Sequence, residues 1–275
     1  MGLRISTNMA AMGASRVLAN TSAEQSKTYQ RLASGSRIVN SGDDAAGLSI
    51  SEKLRASIRS LGQAERNAND GISFVQVAEG GLNEVGNILI RMRELGIQAA
   101  SDTIGDTERG FIDKEIQSLK QEVDRIANVT TFNGTHLLNG EAGKDLEFHV
   151  GMNKDDRLAF HAENYNVKAS EIGISGIDYR SIDGARDALD SIDQAMVKVS
   201  GARAELGANQ NRLQSTINNL GTQKESLSAA RSRIADTDVA SETSALVRGN
   251  ILQSAGIAVL GQANAAPTAA LRLLG

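Results

Sequence analysis

Apolar residues recur along this chain with a period of seven. Leu54, Leu61, Ala68, Val75, Leu82, Leu89 and Gly96 are each seven apart, and Ser57, Ala64, Gly71, Ala78, Val85, Met92 and Ala99 follow them by three. This is the a/d seam of a helix packed against other helices over seven heptads. It predicts one helix over residues 45–99, about 80 Å long at 1.5 Å per residue. A second stripe, Ile112, Ile116, Leu119, Val123 and Ile126, lies between breaks at Gly105 and Asn133-Gly134. Its alternation of four and three predicts a helix over 106–127 that folds back on the first. The strict seven returns as Ala185, Ile192, Val199, Leu206, Leu213, Leu220, Leu227 and Ile234, which predicts a second long helix over 183–234. Three helices with such seams share a rod-like bundle with a gentle left-handed supercoil. Flanking charges such as Glu79, Arg93 and Lys224 are expected to be solvated or paired.

Residues 130–180 change character. Asn139-Gly140, Gly143, Gly151 and Asn153 punctuate the short alternating runs Leu146–Val150 and Leu158–Ala162, the pattern of a small β-hairpin. Phe148 and Phe160 are expected to cover the end of the rod, because two strands alone cannot bury large rings. The termini are apolar in another way. Ile5, Met9 and Met12 form one stripe, continued less regularly by Leu18, Tyr29 and Leu32. Near the other end Ile251, Leu252, Ala255, Ile257, Ala258, Val259 and Leu260 surround their helix almost completely. A helix apolar on every side has to be covered, and copies of the same chain are the natural cover. The fold class is therefore mainly α: long heptad-patterned helices in a rod-like bundle with a small β-hairpin element.

Composition narrows the chemistry. The chain has 275 residues, 40% of them hydrophobic, enough to bury a core, and a single proline, which suits long uninterrupted helices. The net charge of −4 is spread along the chain with no basic block, so no nucleic-acid partner is expected. Zero cysteines exclude a disulfide framework, an iron–sulfur cluster and thiol catalysis. The first twenty residues lack the apolar core of a cleaved secretory signal, and no run of about 18 apolar residues predicts membrane insertion. His136, His149 and His161 do not have metal-ligand spacing, and GDDAAG lacks the lysine of a phosphate-binding loop. Asp43 and Asp44 read instead as a helix start. No catalytic, metal-binding or cofactor-binding residue is expected, and the chain is not read as an enzyme.

Two long segments carry a family resemblance. LASGSRIVNSGDDAAGLSISEKLR at 32–55 and SRIADTDVASETSALVRGNILQSAGIAVLGQAN at 232–264 resemble bacterial flagellin. ISTNMAAM, RMRELGIQAA, TTFNGTHLLNG and APTAALRLLG resemble the same family, in the same order and at similar spacing. The variable outer part found in many flagellins is missing, so the resemblance is to a short form. It implies a D0 domain of residues 1–43 and 235–275, whose helices pair as a coiled coil around a filament channel, and a D1 rod of residues 44–234. It also implies a structural subunit that polymerises into the helical filament used for swimming, exported unfolded by the flagellar type III apparatus to an extracellular location. The implied partners are copies of itself, an export chaperone, a filament cap protein, a hook–filament junction protein and the innate-immune flagellin receptor.

The implied polymerisation contacts are Ile5, Met9, Met12, Leu18, Leu246, Ile251, Leu252, Ile257, Val259 and Leu260. Gly35, Arg37, Asp43 and Asp44 form the implied connector between the domains. The family's receptor-contacting Arg and Leu correspond to Arg91 and Leu95, with Arg93 and Glu94 adjacent, and the Glu of the following helix corresponds to Glu115. Two other readings fit parts of the pattern. One is a hook–filament junction protein, opposed by the GDDAAG match; the other is a soluble coiled-coil adaptor or adhesin, which would not need two apolar ends.

Overall fold

The computed structural model describes residues 7–140 and 146–271, so Ile5 lies outside the described residues. The chain is mainly α. In order, the elements are α1 (Met9–Ser34), α2 (Ala45–Ala99), α3 (Asp106–Val129), β1 (Thr131–Phe132), β2 (Thr135–His136), β3 (Leu146–His149), β4 (Arg157–Phe160), α4 (Ala169–Ile172), α5 (Ile182–Ala235) and α6 (Val239–Leu271). They divide into two compact units, one spanning Ile58–Glu225 and the other built from the chain up to and including Ser57 and from Ser226 onward.

Within the Ile58–Glu225 unit, every a and d position of α2 from Leu61 to Ala99 is buried. Facing them are Ile112, Ile116 and Val123 of α3 and Ala185, Ile192, Val199, Leu206, Leu213 and Leu220 of α5, all buried as well. Small residues in this seam allow close approach. A Cβ built on Gly96 would lie 2.9 Å from Leu189 Cδ2 and 3.1 Å from Tyr179 Cε1. The glycine therefore admits the Tyr179 ring, which is fully buried and whose hydroxyl donates to the Met92 carbonyl at 3.4 Å. That packing offsets the roughly 1 kcal/mol of helix propensity a glycine gives up. The flanking charges are paired at the surface: Arg93 with Asp193 at 2.7 Å, Lys224 with Glu65 at 3.1 Å and Arg203 with Glu79 at 3.9 Å. Exposed pairs of this kind contribute about 0–1 kcal/mol each.

β3 and β4 form the expected antiparallel hairpin, with Leu146 opposite Phe160 and Phe148 opposite Leu158. A second hairpin joins β1 to β2 at Asn133-Gly134, which the sequence pattern marks only as a break. Both turn residues have positive φ, 49° and 79°, the backbone of the primed turns that match strand twist. Phe148 and Phe160, expected to cover the end of the rod, lie against Phe74, near the middle of α2. Phe74 meets Phe132, Phe148 and Phe160 edge to face, with ring centroids 5.4 to 6.0 Å apart. The ring quadrupoles favour this geometry, and the cluster gives both small hairpins a surface to bury against.

Leu82 is fully buried in the seam. Leu82→Ala should destabilise the fold by about 2–5 kcal/mol in urea unfolding followed by circular dichroism. Glu79→Ala, at the partly exposed edge of the same helix, should change it by no more than about 0.5 kcal/mol.

Candidate functional site

The terminal unit is built from α1 and α6, which pack against each other. The Asn8 side chain caps α1 by accepting from Ala11 N at 3.0 Å, and Gly35 ends it in the left-handed conformation at φ 68°. Asp238 starts α6, accepting from Ala240 N at 2.9 Å and Ser241 N at 3.2 Å. The sheltered positions of α1 include Ala11, Ala14, Leu18, Thr21, Gln25, Thr28 and Leu32, alternating three and four. Those of α6 are Glu242, Leu246, Gly249, Gln253, Gly256, Leu260 and Ala263, on the same alternation. The seam between the helices is thus small and polar, with only four leucines in it.

The large apolar residues point the other way. Met9, Met12, Ile251, Leu252, Ile257 and Val259 are each 52–66% exposed, and Val17, Tyr29, Val239 and Val247 join them. A surface of this kind marks an interaction site rather than a monomer's exterior. The ten candidate polymerisation residues therefore separate. Leu18, Leu246 and Leu260 lie in the seam within the chain, and the six others described face outward. Periodicity could not separate them, because a helix apolar on all sides has no preferred face.

The candidate connector residues are brought together at the junction of α1, α2, α5 and α6. Arg37 N donates to the Ala235 carbonyl at 2.7 Å and Thr237 N to the Gly35 carbonyl at 3.0 Å, around an antiparallel Ser36–Asp236 bridge. The Arg37 guanidinium donates twice to the Ile234 carbonyl, at 3.2 and 2.8 Å, and lies 3.6 Å from Asp44 Oδ2. Asp44 Oδ1 accepts from Gly47 N at 2.8 Å and so caps α2. One cation thus serves the carbonyl-bearing end of α5 and the capping carboxylate of α2. Asp43 Oδ2 accepts from Asn40 N at 3.1 Å and Val39 N at 3.3 Å. These bonds, that from Asn40 foremost, hold the Asp43 carboxyl below the usual carboxylate range.

The third group of candidates lies on α2 and α3. Arg91 donates to Glu115 at 2.9 and 3.2 Å and to Glu94 at 3.2 Å, forming an exposed charged network. Those bonds, led by Glu115, push the Arg91 guanidinium above its ordinary range. Arg93 binds Asp193 of α5 through two bonds, which hold the Asp193 carboxyl below its ordinary range. Leu95, expected on the same surface, is 2% exposed. It is corrected to a core position, because α2 turns it toward the buried stripe on which Met92 and Ala99 lie.

Arg109 was missed in the sequence. It is 3% exposed and donates to the Ala99 carbonyl at 3.0 Å and the Ile104 carbonyl at 2.6 Å, closing the turn between α2 and α3. The available signal was its place three residues before Ile112, on the apolar stripe of α3, where a guanidinium can be buried only with acceptors. Among the described residues, no group of His, Asp or Glu could hold a metal ion, and no helix is long and apolar enough to cross a membrane.

Comparison with known proteins gives a consistent picture. Residues 5–142 match the bacterial flagellin N-terminal helical region and residues 189–274 the bacterial flagellin C-terminal helical region. The chain is 42% identical over 270 residues to flagellin from Halalkalibacterium halodurans, covering 98% of this chain and 99% of that one. It is 41% identical over 304 residues to flagellin from Bacillus subtilis, covering 99% and 100%. The crystal structure of Bacillus cereus flagellin superposes with a TM-score of 0.51 at 30% identity, over 60% of this chain and 94% of that one.

Two outcomes test the geometry. Arg109→Ala should lower unfolding stability by roughly 1–3 kcal/mol, because buried carbonyls lose their donor. Asp193 should titrate below the ordinary aspartate range by NMR, and Arg93→Ala should move its midpoint upward. A depressed carboxyl stabilises the fold above its unfolded pKa, so this contribution persists at neutral pH and is lost as pH falls through the lowered value.

Proposed function

The chain belongs to the bacterial flagellin family, and from this premise we propose that it builds the flagellar filament through the outward apolar faces of α1 and α6. It is a structural subunit of that filament. The observation that carries the reading is that large apolar side chains are left uncovered on the terminal helices, although the seam between those helices is small and polar. Covering them gains about 25 cal/mol per Å² of apolar area. A head-to-tail contact repeated by a rotation that does not close gives an open helical polymer, which grows without limit.

In this reading residues 1–43 and 235–275 form the D0 domain that lines the channel, and residues 44–234 form D1. Met9, Met12, Ile251, Leu252, Ile257 and Val259 contact neighbouring subunits, and Leu18, Leu246 and Leu260 hold the terminal pair together. Gly35, Arg37, Asp43 and Asp44 fix the path between the domains. The chain leaves the cell unfolded through the flagellar type III apparatus, accompanied by an export chaperone. It then assembles beyond the hook–filament junction protein and beneath a cap protein, outside the cell. Unfolded termini suit this route, since the apolar area buried on assembly offsets the entropy of ordering them. No catalytic step enters this role.

Soluble subunit is also recognised by the innate-immune flagellin receptor through Arg91, Arg93, Glu94 and Glu115, with Leu95 supporting the patch from beneath. Mutual pairing of Arg91 with Glu94 and Glu115 supports this, because it sets these charges side by side on one exposed surface.

Seeded polymerisation followed by sedimentation and electron microscopy tests the filament role. Ile257→Asp should leave the helical content of the soluble chain unchanged and abolish pelletable filaments, whereas wild-type yield from this variant would contradict the assignment. In a receptor reporter assay, Arg91→Ala should weaken signalling by soluble subunit about tenfold, equivalent to roughly 1.4 kcal/mol. An unchanged dose response would remove the patch from the account.

A further inference from the structure

We infer that Asn133 and Gly134 form a self-modifying site, at which the chain converts its own asparagine to isoaspartate as the subunit ages. The inference stands apart from the filament reading. Both residues are exposed at the apex of the hairpin that joins β1 to β2, with φ of 49° and 79°. Asn133 is the one non-glycine residue with positive φ among the described residues, and its carboxamide has no hydrogen-bond partner among them. Around Gly134 the space is open, since a Cβ built there meets nothing within 4 Å. A free carboxamide thus precedes an unhindered backbone nitrogen, the pairing that closes into a cyclic imide most readily.

The Gly134 nitrogen attacks the side-chain carbonyl carbon of Asn133. A new C–N bond forms, the carboxamide C–N bond breaks, and the displaced nitrogen takes up the Gly134 amide proton and leaves as ammonia. Water then opens the succinimide. Addition at the side-chain carbonyl restores the peptide and gives aspartate, whereas addition at the main-chain carbonyl gives isoaspartate, with the chain routed through the side chain. Ring closure needs an Asn133 ψ of about −120°, the value of a type II′ turn at this position, whereas two positive φ values mark a type I′ turn with about +30°. A flip of the single peptide between Asn133 and Gly134 converts the first kind of turn into the other. It takes Gly134 to negative φ, which glycine tolerates, and leaves the Phe132–Thr135 pair in place. Both primed turns match strand twist, so the hairpin reaches the reactive geometry without unfolding.

The second Asn-Gly pair supplies the contrast. Asn139 is 3% exposed and engaged by a neighbour, and a Cβ built on Gly140 lies 2.5 Å from Asn166 Nδ2, so packing holds that peptide still. Isoaspartate at position 133 adds a methylene to the main chain and a negative charge to the apex. It therefore loosens Phe132 from its edge-to-face contact with Phe74, where the centroids are 6.0 Å apart.

Soluble full-length subunit, held at mildly alkaline pH and sampled over days, tests this by peptide mapping with mass spectrometry that separates isoaspartate from aspartate. In the folded chain Asn133 should convert about tenfold faster than Asn139 or more, with isoaspartate among its products. In urea the two rates should converge, because only local structure separates them. Hydroxylamine, which cleaves the succinimide, should cut the folded chain between Asn133 and Gly134 and spare the bond between Asn139 and Gly140. Equal rates at the two sites in the folded chain overturn the inference. So does an Asn133 that converts only in urea, because the turn would then protect it. Aspartate without isoaspartate, or no cut by hydroxylamine, overturns it as well, because no ring would have formed.

Discussion

Close approach of helices at heptad positions, where large residues meet Ala or Gly, is the constraint on which the rest of this structure depends. In the Ile58–Glu225 unit it brings α2, α3 and α5 close enough to bury Leu82, Val85, Leu89 and Met92 without any contribution from tryptophan. Gly96 shows the device at its sharpest, since any side chain there would displace Tyr179. In the terminal unit the same device has a different result. Leu18 and Gln25 seat against Gly256 and Gly249, and the large apolar side chains are left on the outside. One unit thus buries its large aliphatics within the chain, and the other presents them to whatever packs on it.

Polar groups do the specifying where the apolar packing is repetitive. Arg109 is buried against the carbonyls of Ala99, Ser101 and Ile104 and fixes how α3 turns back from α2. Arg37 joins the end of α5 to the cap of α2. Both arginines act on helix ends, where four backbone groups lack intrahelical partners and a guanidinium fork can reach more than one of them.

The long helices were legible in the sequence because their period is strict. Every predicted a and d position of α2 from Leu61 to Ala99 is buried, as is the predicted seven-spaced series of α5 from Ala185 to Leu220. The Leu146–Phe160 hairpin was legible from alternation and turn residues. The hairpin around Asn133-Gly134 was not, since two-residue strands are too short to alternate. Leu95 was misplaced because a motif gives the order of residues but not their depth, which the heptad position decides. The terminal helices resisted reading for the opposite reason. Their apolar residues are so evenly distributed that only the packed pair shows which ones face inward. Family resemblance supplied the identity of the assembly, and the geometry supplied the division of labour among its residues.

The central claim is that the outward faces of α1 and α6 are covered only in the polymer. Methionine oxidation measures this directly in the unsubstituted chain. Met9 and Met12 are 66% and 62% exposed, and Met152 at 43% serves as an internal reference on the other unit. Peroxide oxidation mapped by mass spectrometry, before and after polymerisation, should show Met9 and Met12 modified readily in soluble subunit and strongly protected in filaments, each relative to Met152. Oxidation of Met9 and Met12 at the same relative rate in both states would contradict the account.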